Sequence, residues 1–142
     1  MIAAPDIIDG ARKVHDFLTV GAAAPLQEAA VTALDFPDSY YETLQIEYTE
    51  RRDIMLQYMD RIGLLYTKPQ GAYYILINIS EFGWKSDMEF CEWMTREIGV
   101  AAVPGSSFFH EPVNNLIRLH FAKRIETIEE AGKRLCRLKE RV

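Results

Sequence analysis

Apolar and polar residues alternate from Leu116 to Phe121, the two-residue period of a half-buried strand. Upstream, Leu64–Tyr66 reads as a strand and Thr67–Gly71 as a turn built on Pro69 and Gly71. Ala72–Ile77, aromatic and β-branched, then reads as the returning strand. Gly99–Val103 is predicted to be a short buried strand running into Pro104-Gly105-Ser106-Ser107. Elsewhere the pattern lengthens to a helical period. Residues 1–5 resemble the end of a strand, and Asp6 can cap a helix to about Leu18 with Ile7, Ala11, Val14 and Leu18 on one face. A second helix is predicted from Pro25 to about Leu34. The longest runs from about Ser39 to Ile62, striped by Leu44, Tyr48, Met55, Met59 and Ile62 and closed by Gly63. Ser86 and Glu89 form a capping box opening a helix to about Ile98. Thr127 and Glu130 form another, opening a terminal helix lined by Ile128, Ala131, Leu135, Leu138 and Val142. Asp35-Phe36-Pro37-Asp38 is the sharpest internal boundary.

Composition narrows the classes. The 142 residues suffice for one domain with a real core, and 49% apolar with 26% charged residues is an ordinary globular balance. A net charge of -5 argues against broad nucleic-acid binding. The basic cluster Lys133, Arg134 and Arg137 reads as a solvated helix face. Cys91 and Cys136 allow neither a disulfide framework nor a four-thiolate metal site, and they suit a reducing cytoplasm. His15 has no partner at ligand spacing, so a surface or packing role fits it better than a metal role. Neither a membrane-spanning apolar run nor a secretion signal is visible.

Candidate chemistry centres on Arg118. A guanidinium cannot shed its charge, so within a strand it must reach solvent or meet an anion. Its planar fork suits a carboxylate held by two parallel hydrogen bonds. Two readings follow: a side chain projecting from the exposed face of an edge strand, or a carboxylate anchor. Gly71 leaves room beside Tyr73 for a close approach by backbone or ligand; alternatively it serves the turn alone and the tyrosines serve the core. The Pro104-Gly105-Ser106 loop offers N–H groups and hydroxyls without the Lys-Ser/Thr of a phosphate loop. It is either a sheet-edge turn or a binding-site wall.

The order of these pieces carries a resemblance. Pro69-x-Gly71-Ala72-Tyr73-Tyr74, a helix, Val103-Pro104-Gly105-Ser106-Ser107-Phe108, and then Ile117-Arg118-Leu119-His120-Phe121-Ala122 together resemble the C-terminal part of class I/II aminotransferases. These are fold-type-I enzymes dependent on pyridoxal 5'-phosphate (PLP), and the resemblance runs over essentially the whole chain. It implies that Arg118 grips the substrate α-carboxylate and that Tyr73 lies near the substrate. Gly71 and the Pro104-Gly105-Ser106 loop would be nearby walls. It implies an α/β fold: a compact two-layer small domain over residues 38–142 with a sheet of three or four strands packed by helices. The helix from Ser39 to Ile62 would bridge to a large PLP-binding domain, of which residues 1–37 would be a remnant and linker.

Two motifs of the family are missing. No lysine has Ser or Thr three residues before it, and there is no Gly-x-Arg-x-Gly. Met1-Ile2-Ala3-Ala4-Pro5 resembles the segment that follows those motifs. The resemblance therefore implies a truncated enzyme that keeps the substrate-binding arginine and lacks the cofactor lysine, which is both nucleophile and proton carrier. PLP would belong to the complete enzyme, with none bound by this chain alone and no transamination from it. Amino acid and 2-oxo acid substrates and the large domain would be its partners, with no nucleic acid and no membrane. Helix faces that have lost their partners would make self-association a real prospect. A non-catalytic carboxylate-binding module and a structural or interaction protein are the alternatives. Tyr73, Tyr74, Phe108 and Phe109 fit apolar or aromatic substrates and, equally, a packed core.

Overall fold

A computed structural model describes residues 2–141; Met1 and Val142, the latter placed above on the terminal helix stripe, lie outside the described residues. The chain parts into two compact units, Met1–Tyr41 and Glu42–Val142.

The first unit holds α1 (Pro5–Leu18), α2 (Ala24–Leu34) and the first turn of α3 (Asp38–Ile62). Residues 2–4 form no strand, contrary to the sequence expectation: helix α1 begins at Pro5 with Ala4 as its cap and Asp6 in its first turn. Proline needs no N–H partner at a first helical position, so it opens the helix before Asp6 can cap it. Neither α1 nor α2 has a buried residue. Phe17, Leu18 and Leu34 are 93%, 78% and 81% exposed, so the rest of this unit leaves their apolar surface uncovered. Tyr41 closes the unit locally, its hydroxyl donating to the Ala33 carbonyl at 2.8 Å.

The second unit is an α/β sandwich of two layers. Its four-stranded sheet has the order β1-β2-β4-β3, from β1 (Tyr66–Thr67), β2 (Tyr74–Asn78), β3 (Val103–Pro104) and β4 (Leu116–His120), and every pairing is antiparallel. The central β2–β4 ladder is extended at both ends, from the Phe121 N–H to the Tyr73 carbonyl and from the Ile79 N–H to the Asn115 carbonyl. Alternation then decides the two faces. Ile75, Ile77, Ile117 and Leu119 point inward and are buried. They join Met55, Leu56, Met59 and Ile62 of α3, Phe90 and Cys91 of α4 (Asp87–Trp93), and Ile128 and Leu135 of α5 (Ile125–Leu135) in one core. Each such side chain contributes on the order of 2 kcal/mol through removal from water. Gly132 lets α5 close on α3, because a Cβ there would lie 2.3 Å from the Tyr58 ring.

Several boundaries move for physical reasons. Leu44 is 38% exposed and Leu56 replaces it in the buried stripe of α3, whose inward face starts only near Tyr48. Ser86 does cap α4, accepting from the Glu89 N–H at 3.3 Å. The helix does not stay α to Ile98, however: Met94–Ile98 widen into a π turn, with the Thr95 hydroxyl bonded back to the Cys91 carbonyl at the junction. The Thr127–Glu130 box is not formed. Helix α5 starts at Ile125 with Arg124 as an uncapped N-cap, and Glu130 pairs with Arg134 one turn on at 2.8 Å. The basic cluster is more than a solvated face: Arg134 and Arg137 donate to the Gly99 and Glu97 carbonyls, closing the end of the π turn. Of the expected strand Gly99–Val103 only Val100 is buried, and pairing is confined to Val103–Pro104, an edge position that tolerates proline.

Candidate functional site

The outer face of the sheet carries the candidate site. Two-residue alternation in β4 turns Arg118 and His120 away from the core, between Leu76 of β2 and Val103 of β3 as the register partners of Arg118. The arginine is half-buried, and its guanidinium carbon lies 3.8 Å from the Phe108 ring centre and 5.0 Å from that of Tyr74. Aromatic faces attract a cation without taking up its N–H groups; each such contact is worth roughly 0.5–2 kcal/mol. Among the described residues no carboxylate comes within ion-pair distance of Arg118. A half-buried, stacked fork with its in-plane donors unclaimed by an acid is what a carboxylate ligand needs.

Phe108 ends a short 3₁₀ turn, Gly105–Phe108, that follows directly from β3. Gly105 is buried against β4: a Cβ there would stand 2.5 Å from the Leu116 carbonyl oxygen. Ser106 is anchored from the other side, its N–H donating to Asp87 Oδ2 at 2.7 Å and its hydroxyl to Oδ1 at 3.0 Å. The structure thus brings Arg118 together with the Pro104-Gly105-Ser106 segment through β3–β4 pairing and the Phe108 ring. Tyr73 is exposed and meets the cluster through Tyr74, edge to face at 5.9 Å. Gly71 sits in the exposed turn before β2, where an added Cβ would meet nothing within 4 Å, and the left-handed backbone falls on Ala72 at φ 58°. Phe108 and Asp87 are the residues that sequence reasoning undervalued: the first was left between substrate contact and core, the second unassigned.

Positive charge gathers on this face. Burial, with Lys123 and Arg118 nearby, pulls the His120 imidazole below its ordinary value. No group of three His, Cys, Asp or Glu side chains converges as a metal site among the described residues. His15 bonds to Thr19 at 2.7 Å on the surface of α1. None of the described helices is long and apolar enough to cross a membrane.

Comparisons with known proteins identify the family and the fold. The model of the family "Aminotransferase class I and II" matches residues 1–135. Methionine aminotransferase of Escherichia coli is 38% identical over 128 residues, covering 89% of this chain and 33% of the relative. A probable N-succinyldiaminopimelate aminotransferase of Mycobacterium tuberculosis is 31% identical over 146 residues, covering 96% and 37%. The solved structure of N-succinyldiaminopimelate aminotransferase from that organism superposes with a TM-score of 0.81 at 31% identity, over 96% of this chain and 36% of the other. The chain belongs to the class I and II aminotransferase family. It spans about a third of the length of the relatives it matches.

The family implies PLP in the complete enzyme. A site for it needs an amine that can shed its charge, which takes burial or an adjacent cation. Lys13, Lys68, Lys85, Lys123, Lys133 and Lys139 are all exposed. These exposed lysines do not fit the cofactor.

Proposed function

We propose that Arg118 receives the α-carboxylate of an amino acid or 2-oxo acid during amino-group transfer in a complete aminotransferase. One observation carries this reading: the guanidinium is fixed between Phe108 and Tyr74 on the outer sheet face with no carboxylate of the described chain in reach. Residues 38–142 act as the small domain, with α3 leading toward the large PLP-binding domain to which residues 1–37 belong. PLP, when bound in that enzyme, supplies the electron sink for bond changes at the substrate Cα. This chain's part is to bind and orient the carboxylate, and its own lysines do not hold the cofactor. Alone it turns over no substrate. Substrates with apolar or aromatic side chains suit the surroundings, since Tyr73, Tyr74, Phe108 and Phe109 all present rings at the surface. Two free thiols, one buried and one half-buried, suit a reducing cytoplasm.

Phenylglyoxal labelling read by peptide mapping tests the site. L-Methionine or its 2-oxo acid should slow modification of Arg118 while leaving exposed Arg96 and Arg124 unchanged. Equal rates at all three with and without the acids would remove the carboxylate role. The uncovered apolar residues of α1 and α2 favour a second property, self-association of the isolated chain. Sedimentation equilibrium that fits a monomer across micromolar to millimolar concentrations would dismiss it.

A further inference from the structure

Among the described residues Asp87 is the one charged side chain buried in the core, at 2% exposure. A carboxylate is costly to bury unless hydrogen bonds replace its water. Both oxygens of Asp87 spend theirs on a single residue, Ser106, which lies 19 positions away in the chain. These bonds tie the start of α4 to the turn Gly105–Phe108. That turn has few other holds. Gly105 rests on β4, and two residues beyond Ser106 the Phe108 ring covers the guanidinium of Arg118 at 3.8 Å.

We propose that Asp87 is a positioning residue for the carboxylate-binding arginine, acting through Ser106 and the ring of Phe108. The assignment rests on the reading of Arg118 given above. A long arginine side chain pays for its freedom when it binds; a ring clamped over its face removes much of that cost and leaves the N–H edge facing the ligand. Asp87 touches neither substrate nor cofactor. Its contribution is the pose of the arginine before the ligand arrives.

The test follows Arg118 directly by NMR, because the Phe108 ring current displaces the arginine side-chain protons upfield whether or not a ligand is present. Asp87→Ala, Ser106→Ala, Asp87→Asn, Phe108→Ala and Arg118→Ala are compared with the unaltered chain, and each is titrated with the 2-oxo acid of methionine. In Asp87→Ala and Ser106→Ala the Arg118 signals should move toward their positions in Phe108→Ala, and the acid should bind about three- to tenfold more weakly. Asp87→Asn should restore both readouts, since its amide offers an acceptor to the Ser106 N–H and a donor to the hydroxyl oxygen. Should Asp87→Ala not fold, Ser106→Ala, which loses one bond and little volume, decides alone. A folded Ser106→Ala with unmoved Arg118 signals and unchanged affinity would overturn the assignment while leaving the arginine's role standing. Failure of the unaltered chain to bind the acid, with Arg118→Ala indistinguishable from it, would overturn the carboxylate reading and this assignment with it.

Discussion

Gly105→Ala and Gly71→Ala form a pair whose outcomes should diverge sharply. Both positions lie in turns and neither has a left-handed φ, so the comparison isolates space from backbone conformation. At Gly71 the new methyl meets nothing within 4 Å. Its effect should stay within about 0.5 kcal/mol, with a small gain from the less flexible unfolded chain. At Gly105 the methyl would lie 2.5 Å from the Leu116 oxygen, 2.7 Å from its Cβ and 2.9 Å from its carbonyl carbon. Two of those atoms are backbone of the paired strand β4 and cannot rotate away. The turn must lift by at least ~0.5 Å, which strains the Pro104–Ile117 pairing and the Ser106–Asp87 bonds together. Overpacking of this kind costs about 1–3 kcal/mol, and one weakened hydrogen bond to a buried carboxylate adds on the order of 1 kcal/mol. The expected destabilisation is therefore about 2–4 kcal/mol. Urea unfolding followed by the fluorescence of Trp84 and Trp93 reads it as a lower midpoint at constant slope. A Gly105→Ala midpoint equal to that of Gly71→Ala would refute the packing described for this turn.

Three further outcomes are expected. Because the fold holds the His120 imidazole below its ordinary 6.5, the unfolded chain binds more protons as acid is added. The stability contributed by neutral His120 is full above pH 6.5 and is lost as pH falls through the lower folded value. His120→Gln should flatten that limb of the stability–pH curve, and an unchanged slope would reject the assignment. A bound carboxylate offsets the positive field of Arg118, so the 2-oxo acid of methionine should raise the His120 titration midpoint in a two-dimensional NMR pH series; an unmoved midpoint at saturating acid would count against it. Cys91 is buried, and burial, followed by Asp87, pushes its thiol up to about 11. At pH 8 about one thiol in a thousand is then thiolate, so iodoacetamide should label half-buried Cys136 well before Cys91; mapping that finds Cys91 labelled first would contradict the burial.

What could be read from the sequence was local, or local in sequence order. The alternation at Leu116–Phe121 located the central strand and the outward face of Arg118, because a two-residue period leaves no other register once one face is buried. Ser86 worked as a cap because its partner is three residues away. Thr127 and Glu130 have the same spacing but lost to an earlier start, where Arg124 and Ile125 already adopt the geometry that lets Ile128 enter the core. Nothing in Met94–Ile98 announces a π turn; it is closed by Gly99, by Arg134 of α5 and by Arg137 just beyond that helix, more than thirty residues on. The Asp87–Ser106 clasp was equally hidden, since an acid in a first helical turn reads as ordinary dipole compensation and its true partner comes from another element. Family resemblance supplied the role proposed for Arg118, and the structure supplied the aromatic stack around it.

The most direct measurement watches the Arg118 Nε–Hε cross-peak while the 2-oxo acid of methionine is added at constant ionic strength. A charge-assisted pair at a half-exposed fork is worth roughly 1.5–3 kcal/mol, so the dissociation constant should be on the order of 10 mM. The account predicts a saturable downfield shift, unaffected by equivalent chloride and absent from every other arginine. An Arg118 cross-peak that stays still, or that moves no more than those of Arg96 and Arg124, would contradict it.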